Sequence, residues 1–284
     1  ATFVPLMVPL LVAVVIGPLL AWKRGDLAGA LGRLKAAMLV TLAVVVVSAY
    51  AIDRAGTLAL VGVGLAAWLA AGVVAEAAGR IKLFRVPLGE SWRRARGLPR
   101  SAWGMSLAHF GLAVLVAGIT AISAWQSERV ELMKNGESLE IAGYMLTFRG
   151  AAAEAGPNYT AERATIEVTR AGKAVTTLRP AKRFFPSQRM ATTEAAIHTT
   201  GFADLYVVIS DPNEAPGGPS DIRAGDPVSD AWIVRAYHNP LAPWLWIGCI
   251  FMVLGALVSL TDRRHRVGAP ARARIPATGV APAE

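Results

Sequence analysis

The stretch AWGMSLAHFGLAVLVAGITAISA, Ala102–Ala124, decides how the chain is read. It runs for 23 residues with no charged side chain and a single histidine, His109. An α-helix rises 1.5 Å per residue, so this length matches the roughly 30 Å hydrocarbon core of a bilayer. Four further runs approach or reach the same length: Thr2–Trp22, Ala36–Ile52, Thr57–Ala75 and Leu241–Leu260. A buried core helix can account for one such run, but five in one chain point to membrane spans. The bulk composition agrees, with 54% hydrophobic residues, only 17% charged residues and a mean hydropathy of +0.43 over 284 residues. An ordinary soluble enzyme is excluded on these numbers.

The net charge of +9 reports sidedness. Lys23, Arg24, Arg33 and Lys35 fall in the first connection, Arg80, Lys82, Arg85, Arg93, Arg94, Arg96 and Arg100 in the third, and Arg263, Arg264, Arg266, Arg272 and Arg274 in the tail. Five alternating spans put these three segments on one side, which the positive-inside rule makes cytoplasmic. The Asp53–Arg54 turn, the chain start and the long polar segment then lie outside. The basic third connection needs lipid headgroup contact and no nucleic acid. Because the chain begins at Ala1 and its first run lacks a basic n-region, it reads as entered mid-sequence rather than as a signal peptide.

Cys249 stands alone, which excludes an internal disulfide, a Cys-rich zinc site and a C-x-x-C-H attachment motif. The predicted fold is an α-helical integral membrane protein of about five transmembrane helices with an inserted all-β periplasmic domain. Its parts are residues 1–124 (four helices and basic cytoplasmic loops), 125–240 (the β-domain), 241–262 (the last helix) and 263–284 (a basic, disordered cytoplasmic tail). Strand-like segments are Arg129–Met133, Leu139–Arg149, Ala164–Arg170, Ala174–Leu178, Ala203–Ser210 and Ala231–Tyr237, separated by turn signals such as Asn135–Gly136 and Ala171–Gly172. A barrel or a sandwich fits them equally, with Pro212–Pro227 as an exposed loop. Asn158–Tyr159–Thr160 matches a glycosylation acceptor and equally a tight turn.

Two features carry chemistry. Arg179, Lys182, Arg183 and Arg189 surround Phe184, Phe185 and Pro186, which suits either an anion- or peptide-binding surface or a solvated strand edge with its aromatics turned inward. The other feature is His109, the one histidine of four inside a span, about two turns from the cytoplasmic end. An ionisable group at that depth is costly and marks a functional site by default. Neutral imidazole is a good iron ligand, and equally a hydrogen-bonding group between helices. Met105 and Ala113 share its face. Gly104, Ala108, Gly111 and Gly118 form a small-residue stripe that admits close approach of another helix or a flat ligand.

These residues also carry a resemblance. Gly17-Pro18 with Trp22-Lys23, Trp103-Gly104-Met105 with Ala108-His109-x-Gly111, Gly156-Pro157-Asn158-Tyr159 and Leu178-x-Pro180-x-Lys182-Arg183 occur in that order. Asp204-Leu205-Tyr206-Val207, Trp232-x-Val234-Arg235-x-Tyr237, Pro240, Trp244-x-Trp246-x-Gly248 and Asp262-Arg263-Arg264 follow. The ordered set resembles the C-terminal part of the cytochrome c maturation protein F (CcmF/CycK/CcsA) family, the membrane subunit of bacterial heme lyase. The resemblance implies a role in joining heme covalently to apocytochrome c bearing Cys-x-x-Cys-His. It also implies the partners holo-CcmE, the heme chaperone, and CcmH and CcmI, and a membrane-embedded heme b reduced by a donor such as quinol. His109 matches one of that heme's two axial histidines. The second ligand, the tryptophan-rich segment and the two external heme-holding histidines belong to the family's N-terminal portion and have no counterpart here, and His238 matches no ligand. On this reading the chain alone is inactive as a lyase. Two other functions fit a polytopic protein: a heme or small-molecule transporter, disfavoured because only His109 and Glu76 are ionisable within or beside a span, and a cofactor-free assembly scaffold.

Overall fold

The computed structural model describes residues 3–20, 26–52, 56–210 and 230–262. Trp22-Lys23, the Asp53–Arg54 turn, the Pro212–Pro227 loop and the basic tail with His265 lie outside them. Helices come first: α1 (Phe3–Ile16) with a 3₁₀ turn at Gly17–Leu19, α2 (Leu27–Arg33), α3 (Lys35–Ala51), α4 (Thr57–Ile81), α5 (Leu88–Gly97) and α6 (Arg100–Trp125). Ten strands follow, and α7 (Ala242–Leu260) ends the described chain.

Three helices, α4, α6 and α7, are long and apolar enough to cross a bilayer singly. The second expected span, Ala36–Ile52, is the unbroken helix α3, which reaches span length only together with α2, across a 58° bend. The first is shorter than its apolar run, because α1 has only 14 residues and gives way to the 3₁₀ turn that contains Pro18. The basic third connection is itself partly helical. In α5, Trp92 and Leu88 are exposed alongside Arg93 and Arg96, the pattern of a helix lying on a membrane surface.

Helices α6 and α7 make the closest packing in the molecule. Glycines recur every seventh residue on α6, at Gly104, Gly111 and Gly118, and on α7 at Gly248 and Gly255. A Cβ at Gly248 would stand 2.7 Å from the Gly111 carbonyl oxygen, and one at Gly104 would stand 2.5 Å from that of Gly255. The small-residue stripe is therefore occupied by a helix, not by a flat ligand. Asp262, just past α7, closes the pair at one end by accepting a 3.0 Å hydrogen bond from the Ser101 backbone N–H. This caps the first turn of α6, which begins after Pro99 without a side-chain cap of its own. At the other end the Gln126 side-chain amide donates to the Asn239 side chain at 2.6 Å.

The β-domain continues this helix pair. Strand β1 (Ser127–Lys134) follows α6 and pairs antiparallel with β10 (Ala231–Pro240), which leads into α7. One sheet runs β1-β10-β9-β8, with β9 at Ala203–Ser210 and β8 at Ala196–Thr199. The other runs β2-β3-β4-β6-β7, with β5 also on β4. Its strands are β2 (Ser138–Ile141), β3 (Tyr144–Ala155), β4 (Thr160–Arg170), β5 (Lys173–Leu178), β6 (Ala181–Phe185) and β7 (Met190–Glu194). Alternate residues from both sheets meet in one core containing Trp232, Phe148, Leu146, Ile166, Leu205 and Val207, so the arrangement is a sandwich. The segment expected as one strand, Leu139–Arg149, is split by the Ala142–Gly143 turn, where both residues take positive φ. Asn158–Tyr159–Thr160 belongs to a tight turn closed by the Gly156 N–H donating to the Tyr159 carbonyl at 2.8 Å.

The glycine contacts are testable. Gly248→Ala forces backbone apart and is expected to cost about 1–3 kcal/mol, read as a lower thermal midpoint in detergent. Gly79→Ala, where a Cβ meets nothing within 4 Å, meets no contact cost and gains about 0.5–1 kcal/mol of helix propensity, so its midpoint is expected to rise slightly.

Candidate functional site

His109 sits on the face of α6 turned away from α7, and the physical reason is helical phase. Gly111 faces α7, and two residues along a helix of 3.6 residues per turn rotate by about 200°. His109 thereby meets α1 and α4. It lines a small cavity of about 10 Å³ with Val14, Val15 and Pro18 from the first helix and its turn, Gly72, Val73 and Glu76 from α4, and Met105 and Ser106 from its own helix. Gly72 makes this possible, because a Cβ there would fall 2.2 Å from the Val15 side chain. Trp68 fixes the same pair of helices by donating its indole N–H to the Val12 carbonyl at 3.2 Å. His109 itself is half-buried.

Glu76 gives this cavity its charge. It is 7% exposed, ion-paired with Arg80 one turn on, and accepts a hydrogen bond from the Ser106 hydroxyl at 3.4 Å. On its other side it borders a wider cleft of about 510 Å³, whose rim carries Arg33, Arg80 and Arg85. Arg80 thus joins the carboxylate to the basic end of the helices. The sequence marked His109 and noted Glu76; it gave no sign of Ser106, since the Ser106–Glu76 contact spans 30 positions and needs α4 against α6.

Whether these residues suit a heme is a question of space and donors. A cavity of 10 Å³ admits nothing larger than about one water, so a porphyrin cannot enter between α1, α4 and α6. Among the described residues no group of three or more His, Cys, Asp and Glu side chains is placed to hold a metal ion. What is present is one imidazole with partly open surface, backed by a carboxylate and a hydroxyl. This set offers an iron one nitrogen donor, His109, from the described residues around the cavity. A larger apolar cavity of about 320 Å³ lies on the other flank, lined by Phe110, Ala113, Ala117, Trp125 and Trp244 among others, and His109 does not reach it.

The basic aromatic segment of the sandwich is mostly committed internally. Phe184 and Lys182 are buried, at 7% exposure each. Arg183 pairs with Glu194 and stacks over Tyr159 at 4.3 Å, and Phe185 packs on the same ring. Arg179 and Arg189 remain exposed. The strand of this segment, β6, is paired on both sides, by β4 and by β7, so it is an interior strand with Phe184 turned inward and not the solvated edge that the sequence suggested. Nearby, Arg163 donates to Glu154 and holds that carboxyl below the usual carboxylate range.

His238 stands in β10 with its ring 6.4 Å from Tyr144, and Arg170 lies over the Tyr144 ring at 4.8 Å. Burial, then the Arg170 charge, lowers its pKa from the ordinary 6.5. The unfolded chain therefore binds a proton below about pH 6.5 that the folded chain refuses, and stability falls as the pH drops through that window. His238→Gln, neutral throughout, is expected to flatten the fall in thermal midpoint between pH 7.5 and 5; an unaltered slope rules His238 out as its source.

Comparisons with known proteins agree with this architecture. Residues 124–240 match the family model described as the CcmF C-terminal beta-sandwich. The chain is 43% identical over 273 residues to the cytochrome c-type biogenesis protein CycK of Rhizobium meliloti strain 1021, covering 96% of this chain and 38% of that protein. It is 34% identical over 265 residues to the cytochrome c-type biogenesis protein CcmF of Escherichia coli K12, covering 93% of this chain and 37% of the relative. A solved structure titled Cytochrome c Heme Lyase CcmF shares the fold with a TM-score of 0.63 at 23% identity, over 91% of this chain and 39% of that one. The chain thus spans less than two fifths of the length of these two relatives.

Proposed function

Because the chain belongs to the CcmF/CycK family of cytochrome c-type biogenesis proteins and corresponds to its C-terminal part, we propose that it forms the electron-entry half-site and outer docking domain of a cytochrome c heme lyase. The observation that carries this reading is His109, a half-buried imidazole on α6, one of the two helices that join the basic end to the β-sandwich. Its basic end faces the cytoplasm and its sandwich the periplasm of a bacterial inner membrane, in keeping with the placement of Arg80, Arg85, Arg93, Arg94 and Arg96.

The residues divide the work. His109 would hold heme b from this chain, together with a histidine that the family resemblance places outside it, and a heme so held would supply one-electron transfer rather than oxygen chemistry. Valines and Pro18 from the first helix and its turn line the cavity side of the imidazole, with Glu76 and Ser106 as polar neighbours. The covalent step, the lyase activity of the full-length protein, adds a cysteine S–H across a heme vinyl group: the C–S bond forms at one vinyl carbon and the hydrogen goes to the other, with no net electron change. It requires reduced thiols and ferrous heme, which is why an electron-entry site belongs in the machine. The sandwich docks the periplasmic partners, for which the family offers holo-CcmE, CcmH, CcmI and the Cys-x-x-Cys-His apocytochrome, with quinol as the reductant.

The test is His109→Ala in the full-length protein. The reduced spectrum is expected to lose its b-type Soret and α bands while the protein still accumulates in the membrane. A retained b-type spectrum would falsify the ligand assignment. A pyridine hemochrome assay on the purified parent protein separates this reading from a cofactor-free scaffold.

A further inference from the structure

We propose that the cleft of about 510 Å³ at the basic end of the helices binds the headgroup of an anionic phospholipid, with Arg33 and Arg85 as the cations that hold its phosphate. The site is separate from the role of His109 and needs no heme. Shape, charge and depth each point to it.

Four stretches of chain build the cleft: the 3₁₀ turn after α1, the α2–α3 bend, the last two turns of α4 and the segment that follows α4. Apart from Arg33, Arg80, Arg85 and Glu76, every lining residue is apolar, as at Pro18, Leu34 and Leu83. The 58° bend between α2 and α3 swings Arg33 off the line of α3, and at Gly79 an added Cβ would meet nothing within 4 Å. An open apolar hollow with a cationic rim is the shape of a phospholipid, a charged phosphate above glycerol and acyl chains. A free phosphate would leave the apolar part of the hollow without a partner.

The rim is positive after its internal pairing is taken out. Glu76 pairs with Arg80 and accepts a bond from Ser106, so these two charges offset one another. Arg33 and Arg85 are exposed, and among the described residues no carboxylate pairs with either. They leave the lining with a net charge of +2. A phospholipid phosphodiester carries one negative charge and cardiolipin two, and a guanidinium fork meets phosphate oxygens in a bidentate way. A general excess of basic residues on one side explains why arginines stand at this end. It does not explain why Arg33, from a different helix, stands on the same cleft as Arg85.

Depth agrees. α4 has 25 residues and is about 37 Å long at 1.5 Å per residue, against a hydrocarbon core of about 30 Å. Its last turn, with Arg80, reaches the headgroup layer, and Arg85 follows it. Phe84 beside Arg85 is 86% exposed, and α5 continues with Trp92 and Leu88 outward, as suits chain lying against lipid. Basic pockets between spanning helices at this level are where anionic headgroups bind.

The experiment uses the full-length protein, delipidated in detergent at fixed salt, and follows its thermal midpoint as phosphatidylglycerol, cardiolipin, phosphatidylcholine or inorganic phosphate is added. A ligand that binds the folded state raises the midpoint with its concentration. Phosphatidylglycerol and cardiolipin are expected to do so saturably, and phosphatidylcholine and inorganic phosphate are not. Arg33→Gln with Arg85→Gln is expected to raise the half-saturating phosphatidylglycerol concentration roughly 10–30-fold. Gly79→Leu, which fills the cleft without altering its charge, is expected to raise it as well. Arg93→Gln with Arg96→Gln removes the same charge from α5, outside the cleft, and is expected to leave it near the parent value. If the Arg33 and Arg85 double variant fails to accumulate, Arg85→Gln alone, at about fivefold, and Gly79→Leu carry the comparison. Four results overturn the proposal: no saturable response to either anionic lipid, an equal response to phosphatidylcholine, a full response to inorganic phosphate alone, or an equal loss in the Arg93 and Arg96 variant. The second would make the effect one of acyl chains, the third a free-anion site, and the fourth general attraction to a basic surface.

Discussion

Backbone-to-backbone contact between α6 and α7 is the constraint from which the rest of the structure follows. Side chains in lipid gain little by burying one another, since lipid tails are as apolar as they are, so helices associate through close packing and a few polar bonds. Glycines at seven-residue intervals on both helices supply the first. The Ser101–Asp262 and Gln126–Asn239 bonds supply the second at opposite ends. Once the pair is fixed, β1 and β10 emerge side by side and in register, Ser127 opposite His238. The sandwich thus grows from a closed stem, and the other sandwich strands are threaded between its two legs. Fixing one face of α6 against α7 also fixes the opposite face, which is why His109 meets α1 and α4.

The two halves of the molecule are held by different forces. In the sandwich, Trp232, Phe148 and Leu146 are fully buried between sheets, and the burial of such side chains is worth roughly 1.5–3 kcal/mol each. Its surface ion pairs, such as Arg149 with Glu167 at 2.8 Å, are about half exposed and contribute little beside that core. In the helices the apolar surface is largely outward, as at Leu39, Val47, Leu58 and Trp246, and the few polar contacts carry more of the specificity. Glu76 is the extreme case, a buried charge stabilised by one cation and one hydroxyl.

Much of this was legible in the sequence because it rests on local pattern. Apolar run lengths located α4, α6 and α7, and alternation located β1, β9 and β10. The failures have tertiary causes. The apolar phase slips at Ala142–Gly143, from odd positions (Leu139, Ile141) to even ones (Tyr144, Leu146, Phe148), and the apolar Met145 hides the slip, so the break between β2 and β3 shows in the sequence only through that slip and the glycine. β6 to β8 are short and rich in polar or basic residues, and become strands because β4 and β9 offer edges to pair with. The glycine stripe was visible, but a stripe does not say what lies on it. His109 stood out for its depth alone; its neighbours come from helices whose contact no spacing predicts.

Distance then decides what the sandwich can do for the His109 site. From His109 to the end of α6 at Trp125 is 16 residues, or about 24 Å of helix at 1.5 Å per residue. No side chain of the sandwich spans that length, so the domain cannot serve as a ligand or hydrogen-bond partner to His109. Any influence has to pass along α6 and α7, and the glycine contacts make those two helices move as one body. A partner docking on the sandwich can therefore shift the imidazole only by tilting the stem against α1 and α4. The contact that feels such a tilt first is the narrow one, where Gly72 meets Val15 and the cavity between His109 and Glu76 has room for about one water.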